Sequence, residues 1–253
     1  MRYLVIADVH ANLPALKAVL ADAPAWDEVL FLGDAVIGGP QPAETVATLA
    51  TLPGQFILGN HDREILEFDP DASPISPNQA WKHWTYRQLS KDDFAVLDRF
   101  SPSLSLELDG TTYQIQHGDF DPNGIEGFRG RLWPDAAASV FAGLAERCPA
   151  QYLLHGHTHV QFEHTRSGVT FVNPGSVGAA RLGDPVACYA TLDEAGVTFY
   201  ATSYDVERTC AAMEEVPIDS AFIAAWNEQL RDGRQGDFYD IRDFTPLCAG
   251  PYR

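Results

Sequence analysis

Short apolar runs alternate with amphipathic stretches over the first sixty residues of the chain. Apolar runs at 3–7, 28–32 and 55–58 have the length of buried strands, and each is followed by polar residues. Between them, residues 13–20 place leucines on one helical face, and residues 42–50 favour a second helix. This alternation of strands and helices predicts a mainly parallel sheet covered by helices.

The following hundred residues contain mostly strand signals. Asp109–Gly110 is a strong hairpin signal that divides residues 104–117 into two arms. An amphipathic helix is indicated at 137–144, and a short apolar strand follows at 151–154. Residues 160–200 contain further strands separated by glycine-containing turns.

Two further segments are predicted to be helical. Residues 63–102 are rich in tryptophan, tyrosine and phenylalanine, and predict a helical insertion near the top of the sheet. The tail from about residue 205 is predicted to be helical and then irregular. Because there is no internal repeat or low-complexity linker, we expect a single domain over 1–253. Its motif-bearing core is 1–203, and 204–253 form a C-terminal helical extension.

Polar side chains follow the predicted strands, at the point where each strand ends. They are carboxylates, an amide and imidazoles: Asp8, His10, Asp34, Asn60, His61, Asp62, His117, His157 and His159. Because the carboxyl ends of parallel strands share one edge of a sheet, we expect these groups to meet there. Each motif is common by itself, but chance is a poor explanation for all of them in order. Neutral imidazole binds transition metals, so the pattern predicts a metal site.

The charge of the chain limits its partners. Thirty-five acidic residues against seventeen Lys and Arg give a formal net charge of −18. This charge argues against a nucleic-acid polymer or an anionic membrane surface as partner. An anionic substrate would need local cations, which bound metals could supply.

The N-terminus and the cysteines indicate a cytoplasmic protein. The first apolar run is broken by Asp8, too early for a signal peptide, and no segment has the length of a membrane span. Cys148, Cys188, Cys210 and Cys248 lack paired spacing, which favours reduced thiols over a zinc site or disulfides.

The motifs D-x-H, G-D, G-N-H-D, H-G and G-H-T-H, in this order, resemble the calcineurin-like metallophosphoesterase superfamily. The resemblance runs from residue 1 to about residue 193. The stretches GDAVIGGPQPAETV (33–46) and NPGSVGAARLGDP (173–185) are similar to its small prokaryotic phosphoesterase/phosphatase branch, except that Ala180 stands where a proline is expected before Arg181. The resemblance implies an α/β fold, a four-layer α/β/β/α sandwich in which two mixed β-sheets pack face to face with helices outside.

The resemblance also implies a set of metal ligands. One divalent metal ion would be held by Asp8, His10 and His159, and a second by Asn60, His117 and His157; Asp34 would bridge the two. Two metal ions per chain are therefore expected. Mn²⁺ is the leading expectation, and the mixed nitrogen and oxygen ligands also suit Fe, Zn²⁺ or Ni²⁺.

In the implied mechanism, a metal-bridging hydroxide attacks phosphorus in line. His61 would protonate the leaving oxygen or stabilise its charge, and Asp62 would hold His61 in a His–Asp pair. His155 is left over, and we interpret it as a structural residue or one that supports the ligands.

The substrate is less well defined by the sequence. Asn60 and Arg181 are candidate substrate contacts; Arg129 and Arg131 are candidate phosphate contacts or solvated surface residues. The aromatic side chains of the insertion either form core or stack a nucleobase.

Three functions compete for the same site. The leading prediction is a phosphomonoesterase acting on phosphoproteins or small phosphorylated substrates. The alternatives are a phosphodiesterase or dinucleoside polyphosphate hydrolase, and a non-catalytic, metal-stabilised scaffold. The presence of His61 next to Asp62 argues against the scaffold.

Overall fold

The computed structural model describes residues 1–233, which form two five-stranded sheets and eight helices. The strands are β1 Tyr3–Ile6, β2 Glu28–Phe31, β3 Gly54–Phe56, β4 Ser103–Leu108, β5 Thr111–Gln116, β6 Tyr152–Leu154, β7 Gln161–Arg166, β8 Val169–Pro174, β9 Val186–Asp193 and β10 Gly196–Ser203. The helices are α1 Leu13–Asp22, α2 Pro42–Ala50, α3 Asn60–Leu66, α4 Pro77–Gln88, α5 Lys91–Leu97, α6 Ala138–Ala145, α7 Val206–Glu214 and α8 Ser220–Asp232.

Both sheets are mixed. The first has the order β10-β9-β1-β2-β3, in which β1, β2 and β3 are parallel and β9 runs antiparallel to β1. The second has the order β4-β5-β6-β8-β7, in which β5, β6 and β8 are parallel and the outer strands β4 and β7 are antiparallel to their neighbours. The parallel strands of each sheet bring their carboxyl ends to one edge, as the sequence predicted.

The sequence of strand β1 is continuously apolar because both faces of the strand are buried. Leu4 and Ile6 belong to the core beneath helices α1 and α2, whereas Val5 and Ala7 belong to the core between the sheets. Successive side chains of a strand point to opposite faces, so a strand covered on both faces needs apolar residues throughout. A third core, which includes Phe141 of α6, covers the outer face of the second sheet. The four-layer α/β/β/α sandwich is confirmed.

Local interactions fix the start of one helix and one hairpin turn. The side chain of Asn12 accepts a hydrogen bond from the Ala15 amide at 3.3 Å and caps helix α1. Asp109 and Gly110 both have positive φ (48° and 79°), as a tight hairpin turn between β4 and β5 requires.

The insertion at 63–102 is helical, and its aromatic side chains form core. Trp81 of α4 is only 2% exposed, and its ring lies 5.0 Å from that of Trp226 in α8. Met213 and Ile223 complete this cluster, which ties the insertion to the C-terminal helices. Because Trp81 is buried, it offers no face for a nucleobase.

The tail is helical as far as residue 232. The irregular end that we predicted, and Cys248 with it, lie outside the described residues. Within residues 1–233, no disulfide joins Cys148, Cys188 and Cys210, and no helix is both long and apolar enough to cross a membrane.

Candidate metal centre

The predicted ligands converge at one edge of the sandwich. Three overlapping groups have potential ligand atoms within 4.8 Å of one another: Asp8, His10 and His159; His10, Asp34 and His61; and Asp34, His117 and His157. Every member is buried except His61, which is half-buried. Residues that are as many as 151 positions apart, Asp8 and His159, therefore belong to one cluster.

The loops that carry these ligands have unusual backbone conformations. Asp8, His10, Asp34, His157 and His159 all have φ between 50° and 71°. This left-handed region is unfavourable for residues with a side chain, at a cost of about 1–3 kcal/mol each. Such conformations persist where the surrounding structure imposes them, and they cluster at functional sites.

Two glycines allow the loops to approach the ligands. A side chain at Gly156 would place its Cβ 2.6 Å from Oδ2 of Asp8. At Gly33, where φ is 101°, the Cβ would lie 2.7 Å from Nδ1 of His117. The glycines of the G-D and G-H-T-H motifs thus leave room for carboxylate and imidazole groups.

His10 and His159 are held with one imidazole nitrogen of each ring facing the other. Nδ1 of His10 lies 2.7 Å from the carbonyl of Ile37, and Nδ1 of His159 lies 2.8 Å from the carbonyl of Ala179. A carbonyl only accepts, so both Nδ1 atoms donate and each neutral ring keeps its lone pair on Nε2. The two Nε2 atoms are 3.0 Å apart. Two buried lone pairs that face each other fit a cation bound by both.

A second set of donors lies on the other side of Asp34. Nε2 of His117 is 3.0 Å from Oδ1 of Asn60 and 3.1 Å from Oδ2 of Asp34. Nδ1 of His157 is 2.8 Å from the same Asn60 oxygen. Nδ1 of His117 is engaged by the carbonyl of Leu32 at 2.8 Å. Imidazole, amide and carboxylate donors in this arrangement fit a divalent transition metal.

The electrostatics of the metal-free site fit the same interpretation. Burial lowers the pKa of His10 to about 4 and that of His157 to about 2, so both are neutral, as ligation requires. Burial raises the pKa of Asp8 to about 7. Burial by itself would also lower the pKa of His117, but the neighbouring Asp34 carboxylate raises that pKa to about 10. Without a metal, a proton on His117 therefore neutralises Asp34.

Asp62 does not pair with His61, and that prediction is wrong. Its buried carboxylate accepts hydrogen bonds from the backbone amides of Asp34 at 2.9 Å, Ala35 at 2.8 Å and Gly59 at 3.1 Å. The reason is helical geometry, because adjacent side chains of α3 point in different directions. Asp62 instead fixes the loop that carries Asp34.

The carboxylate partner of His61 is Glu64, which the sequence analysis missed. Nδ1 of His61 lies 3.0 Å from Oε2 of Glu64, and the same oxygen lies 2.8 Å from Nζ of Lys82. His61 and Glu64 are three residues apart on one helix, a spacing that brings side chains together and could have indicated the pair. Lys82 comes from α4, and no local signal points to it.

Arg181 lies beside the metal centre. Its guanidinium group is 5.8 Å from the ring centroid of Trp133, and it donates to the carbonyl of Thr158 at 3.4 Å. Burial lowers the pKa of His159, and the positive charge of Arg181 lowers it further. Contact between Arg181 and a phosphate remains a prediction.

Arg129 and Arg131 lie in the loop after β5. Both line a cavity of about 820 Å³ together with Trp133. The charge of Arg131 contributes to the low pKa of His157, whereas the side chain of Arg129 is exposed. A role for either residue in phosphate binding remains a prediction.

His155 lies among aromatic rings, next to the loop that carries His157 and His159 (the ligand loop). It is fully buried, with ring centroids of Phe120 and Phe162 at 5.4 and 5.2 Å. Its Nδ1 lies 3.4 Å from the side-chain amide of Asn173, which also donates to the carbonyl of Gly156 at 2.7 Å. These contacts agree with a structural residue that supports the ligand loop.

Comparisons with known proteins agree with this site. The Calcineurin-like phosphoesterase superfamily domain matches residues 1–196. A metallophosphoesterase from Sphaerobacter thermophilus has a similar crystal structure, with a TM-score of 0.75, 28% identity, and coverage of 92% of this chain and 99% of that chain. Hypothetical protein PH1004 from Pyrococcus horikoshii OT3 shares the fold, with a TM-score of 0.77, 19% identity, and coverage of 93% and 99%.

A sequence relative has also been found in Methanocaldococcus jannaschii. Its uncharacterized protein MJ0912 is 26% identical over 228 residues, which cover 81% of this chain and 88% of the relative. The fold, the buried set of potential metal ligands and the similarity to these proteins together define the class of the protein as a metal-dependent phosphoesterase. The chain belongs to the calcineurin-like phosphoesterase superfamily, as its motifs indicated.

Proposed function

We propose that the protein is a phosphomonoesterase that uses two divalent metal ions. The observation that supports this proposal best is the sharing of one carboxylate by two donor sets. His10, which belongs to one set, and His117, which belongs to the other, each have Nε2 near Oδ2 of Asp34, at 3.9 and 3.1 Å. A carboxylate between two sets of ligands suits a pair of cations.

We propose the same division of residues between the two metals as in the sequence-based prediction. Asp8, His10 and His159 would hold one ion, and Asn60, His117 and His157 the other, with Asp34 shared. When bound, such ions lower the pKa of a water and neutralise phosphoryl oxygens. The ligand loops hold the donors in place, so that no large rearrangement is needed on binding.

His61 is in a suitable position to protonate the leaving oxygen. Its side chain is 31% exposed, unlike the buried ligands, and its ring centroid lies 5.4 Å from that of His10. A substrate that reaches the metal centre would therefore meet the imidazole of His61 at the rim. General acid catalysis of this kind contributes about 10²–10⁴-fold.

The local charge favours a monoester. A phosphate monoester carries up to two negative charges, so it needs positive charge in a chain of net charge −18. Bound metals and Arg181 would supply that charge next to His159, and Asn60 and Arg181 are our proposed substrate contacts. Phosphoproteins and small phosphorylated molecules both present such a group.

We propose Mn²⁺ as the working metal, with Fe, Zn²⁺ and Ni²⁺ as alternatives, because the donors are a mixture of nitrogen and oxygen. We also propose that the protein acts in the cytoplasm. A nucleic-acid polymer or a membrane is not expected as partner because the charge of −18 would repel both.

A phosphodiesterase or dinucleoside polyphosphate hydrolase is the second candidate. The cavity of about 820 Å³ lined by Arg129, Arg131 and Trp133 favours it, because it offers space and positive charge for a second group on the phosphate. The charge of Arg131 acts on His157, which indicates that the cavity is near the metal centre.

The deciding experiment is a substrate panel. Metal-free protein is loaded with Mn²⁺, Fe²⁺, Zn²⁺ or Ni²⁺, and kcat/KM is measured on an alkyl phosphate, p-nitrophenyl phosphate, its bis-ester and a dinucleoside tetraphosphate. Preference for monoesters supports the proposal, and preference for the bis-ester or the tetraphosphate supports the second candidate. Asp34→Asn should be inactive on every substrate. Absence of hydrolysis with any metal would favour a non-catalytic scaffold.

A further inference from the structure

Helix α4 is connected to His61 through two charged side chains. Oε2 of Glu64 lies 3.0 Å from Nδ1 of His61 and 2.8 Å from Nζ of Lys82. His61 and Glu64 belong to α3, whereas Lys82 belongs to α4. One carboxylate oxygen therefore accepts from the imidazole and from the ammonium group.

Glu64 is a carboxylate at neutral pH. Burial raises its pKa, but the hydrogen bonds from His61 and Lys82 outweigh burial and lower that pKa to about 2. A carboxylate only accepts hydrogen bonds, so Nδ1 of His61 must donate. Nε2 is then the nitrogen left for the metal centre, where one ring nitrogen of His61 lies within 4.8 Å of the ligand atoms of His10 and Asp34.

The position of Lys82 depends on the packing of α4. Its neighbour Trp81 is buried against Trp226 and Phe222 of α8, with ring centroids 5.0 and 5.7 Å away. The packing of Trp81 against α8 thus fixes the part of α4 that carries Lys82. Through Lys82 and Glu64, the insertion at 63–102 is connected to His61. None of the proposed metal ligands takes part in this connection.

We propose that Glu64 and Lys82 are positioning residues for His61: Glu64 holds the imidazole with Nε2 towards the metal centre, and Lys82 holds Glu64. The proposal rests on the phosphoesterase function, in which His61 acts on the leaving group. It differs from a stabilising ion pair between α3 and α4, because Glu64 and Lys82 act only through His61.

A double-mutant cycle tests this dependence. We measure kcat/KM on an alkyl phosphate for His61→Ala, Glu64→Met and the double variant. Glu64→Met should lose about tenfold or more, up to the 10²–10⁴-fold of a general acid, and the double variant should match His61→Ala alone. Losses that multiply in the double variant would overturn the proposal, because Glu64 would then act independently of His61.

Lys82→Met should show the same pattern with a smaller loss. Glu67→Gln and Lys91→Met are controls, because both residues are exposed and lie within the insertion at 63–102. The controls should stay within about threefold of wild type. A Lys82→Met variant that behaves like Lys91→Met would remove Lys82 from the proposal.

Nitrogen NMR of ¹⁵N-histidine-labelled, zinc-loaded full-length protein gives a readout that is independent of activity. At a pH where its ring is neutral, His61, assigned by its loss in His61→Ala, should carry its proton on Nδ1 in wild type; at lower pH the ring also carries, on Nε2, the proton that a general acid donates. Glu64→Met should shift His61 towards the other tautomer, whereas Glu67→Gln should leave it unchanged. An unchanged His61 signal in Glu64→Met would overturn the positioning role.

The two readouts separate this proposal from the proposed function. If the wild type hydrolyses no phosphate ester with any metal, the phosphoesterase proposal fails, and the NMR result still decides whether Glu64 orients His61. If the wild type is active and Glu64→Met matches its control, only the positioning proposal fails.

Discussion

Nε2 of His10 and Nε2 of His159 lie 3.0 Å apart, although 149 residues separate them along the chain. Each ring is held by a backbone carbonyl that accepts from its other nitrogen, at 2.7 Å for His10 and 2.8 Å for His159. The fold therefore brings two lone pairs together where, without a cation, they would repel each other. A cation bound by both nitrogens would remove this repulsion.

Removal of one of these imidazoles should empty one metal position. We expect His159→Ala to retain about one metal ion per chain where wild type retains two, and to lose most of its activity. Ligand binding stabilises by about 2.7 kcal/mol at 100 times Kd, so metal should raise the melting temperature less in this variant. Metal analysis and thermal unfolding with and without chelator measure both effects.

The control for this experiment is His83→Ala, because His83 is on α4 and outside the three ligand groups found within residues 1–233. It should bind metal like wild type. Full metal content in His159→Ala would contradict the assignment of His159 as a ligand.

Metal binding should release a proton at pH 8. The Asp34 carboxylate raises the pKa of His117 to about 10 in the metal-free protein, so His117 carries an extra proton at this pH, whereas Asp8, with a pKa of about 7, is mostly ionised. A metal must displace the His117 proton, so affinity should rise with pH up to about 10. Calorimetry in two buffers of different ionisation enthalpy measures the proton count. A heat that is independent of buffer would contradict this account of the site.

His61→Ala should impair catalysis according to the leaving group. A p-nitrophenolate leaves without much help, whereas an alkoxide needs a proton as the bond breaks. We expect a loss of about 10²–10⁴-fold on an alkyl phosphate and a much smaller loss on p-nitrophenyl phosphate. Metal content should stay near that of wild type. Measuring kcat/KM across leaving groups of different pKa tests the role directly, and equal losses on all substrates would exclude a general acid.

Asp62→Ala should destabilise the protein instead of removing a partner from His61. The backbone amides of Asp34, Ala35 and Gly59 would lose their buried acceptor, at a cost of about 3–5 kcal/mol. Asp62→Asn keeps one acceptor oxygen and should lose less. Urea unfolding of the metal-free protein measures both changes.

Asp92→Ala provides the control for these unfolding experiments, because Asp92 is an exposed acidic residue of α5. It should change stability by less than about 0.5 kcal/mol. A stable Asp62→Asn variant that fails only on alkyl phosphates would restore the His–Asp pair that the structure contradicts.

Much of the fold could be predicted because its signals are local. The continuous apolar run at β1 reports a strand that is buried on both faces, and Asp109–Gly110 reports a turn with two positive φ angles. The candidate ligands could be found for a similar reason. Each stands directly after an apolar strand, and parallel strands end at a common edge whatever the details of packing.

The hydrogen-bond partners of His61 and Asp62 were not evident from the order of these residues in the chain. His61 is followed directly by Asp62, but the helix turns Asp62 towards the Asp34 loop and aligns Glu64 with His61. The spacing of three residues between His61 and Glu64 is present in the sequence. The carboxylate of Asp62, directly after His61, was the more obvious candidate partner.

The sequence by itself determined which chemical groups reach the edge of the sheet, because strand ends and turns are encoded within a few residues. Only the tertiary structure decided that His10 faces His159 and that Lys82 reaches Glu64. Those contacts depend on how the ligand loops meet across the sandwich and on how α4 packs against α8. Such packing is the sum of many weak contacts between distant segments, and no short stretch of sequence contains it.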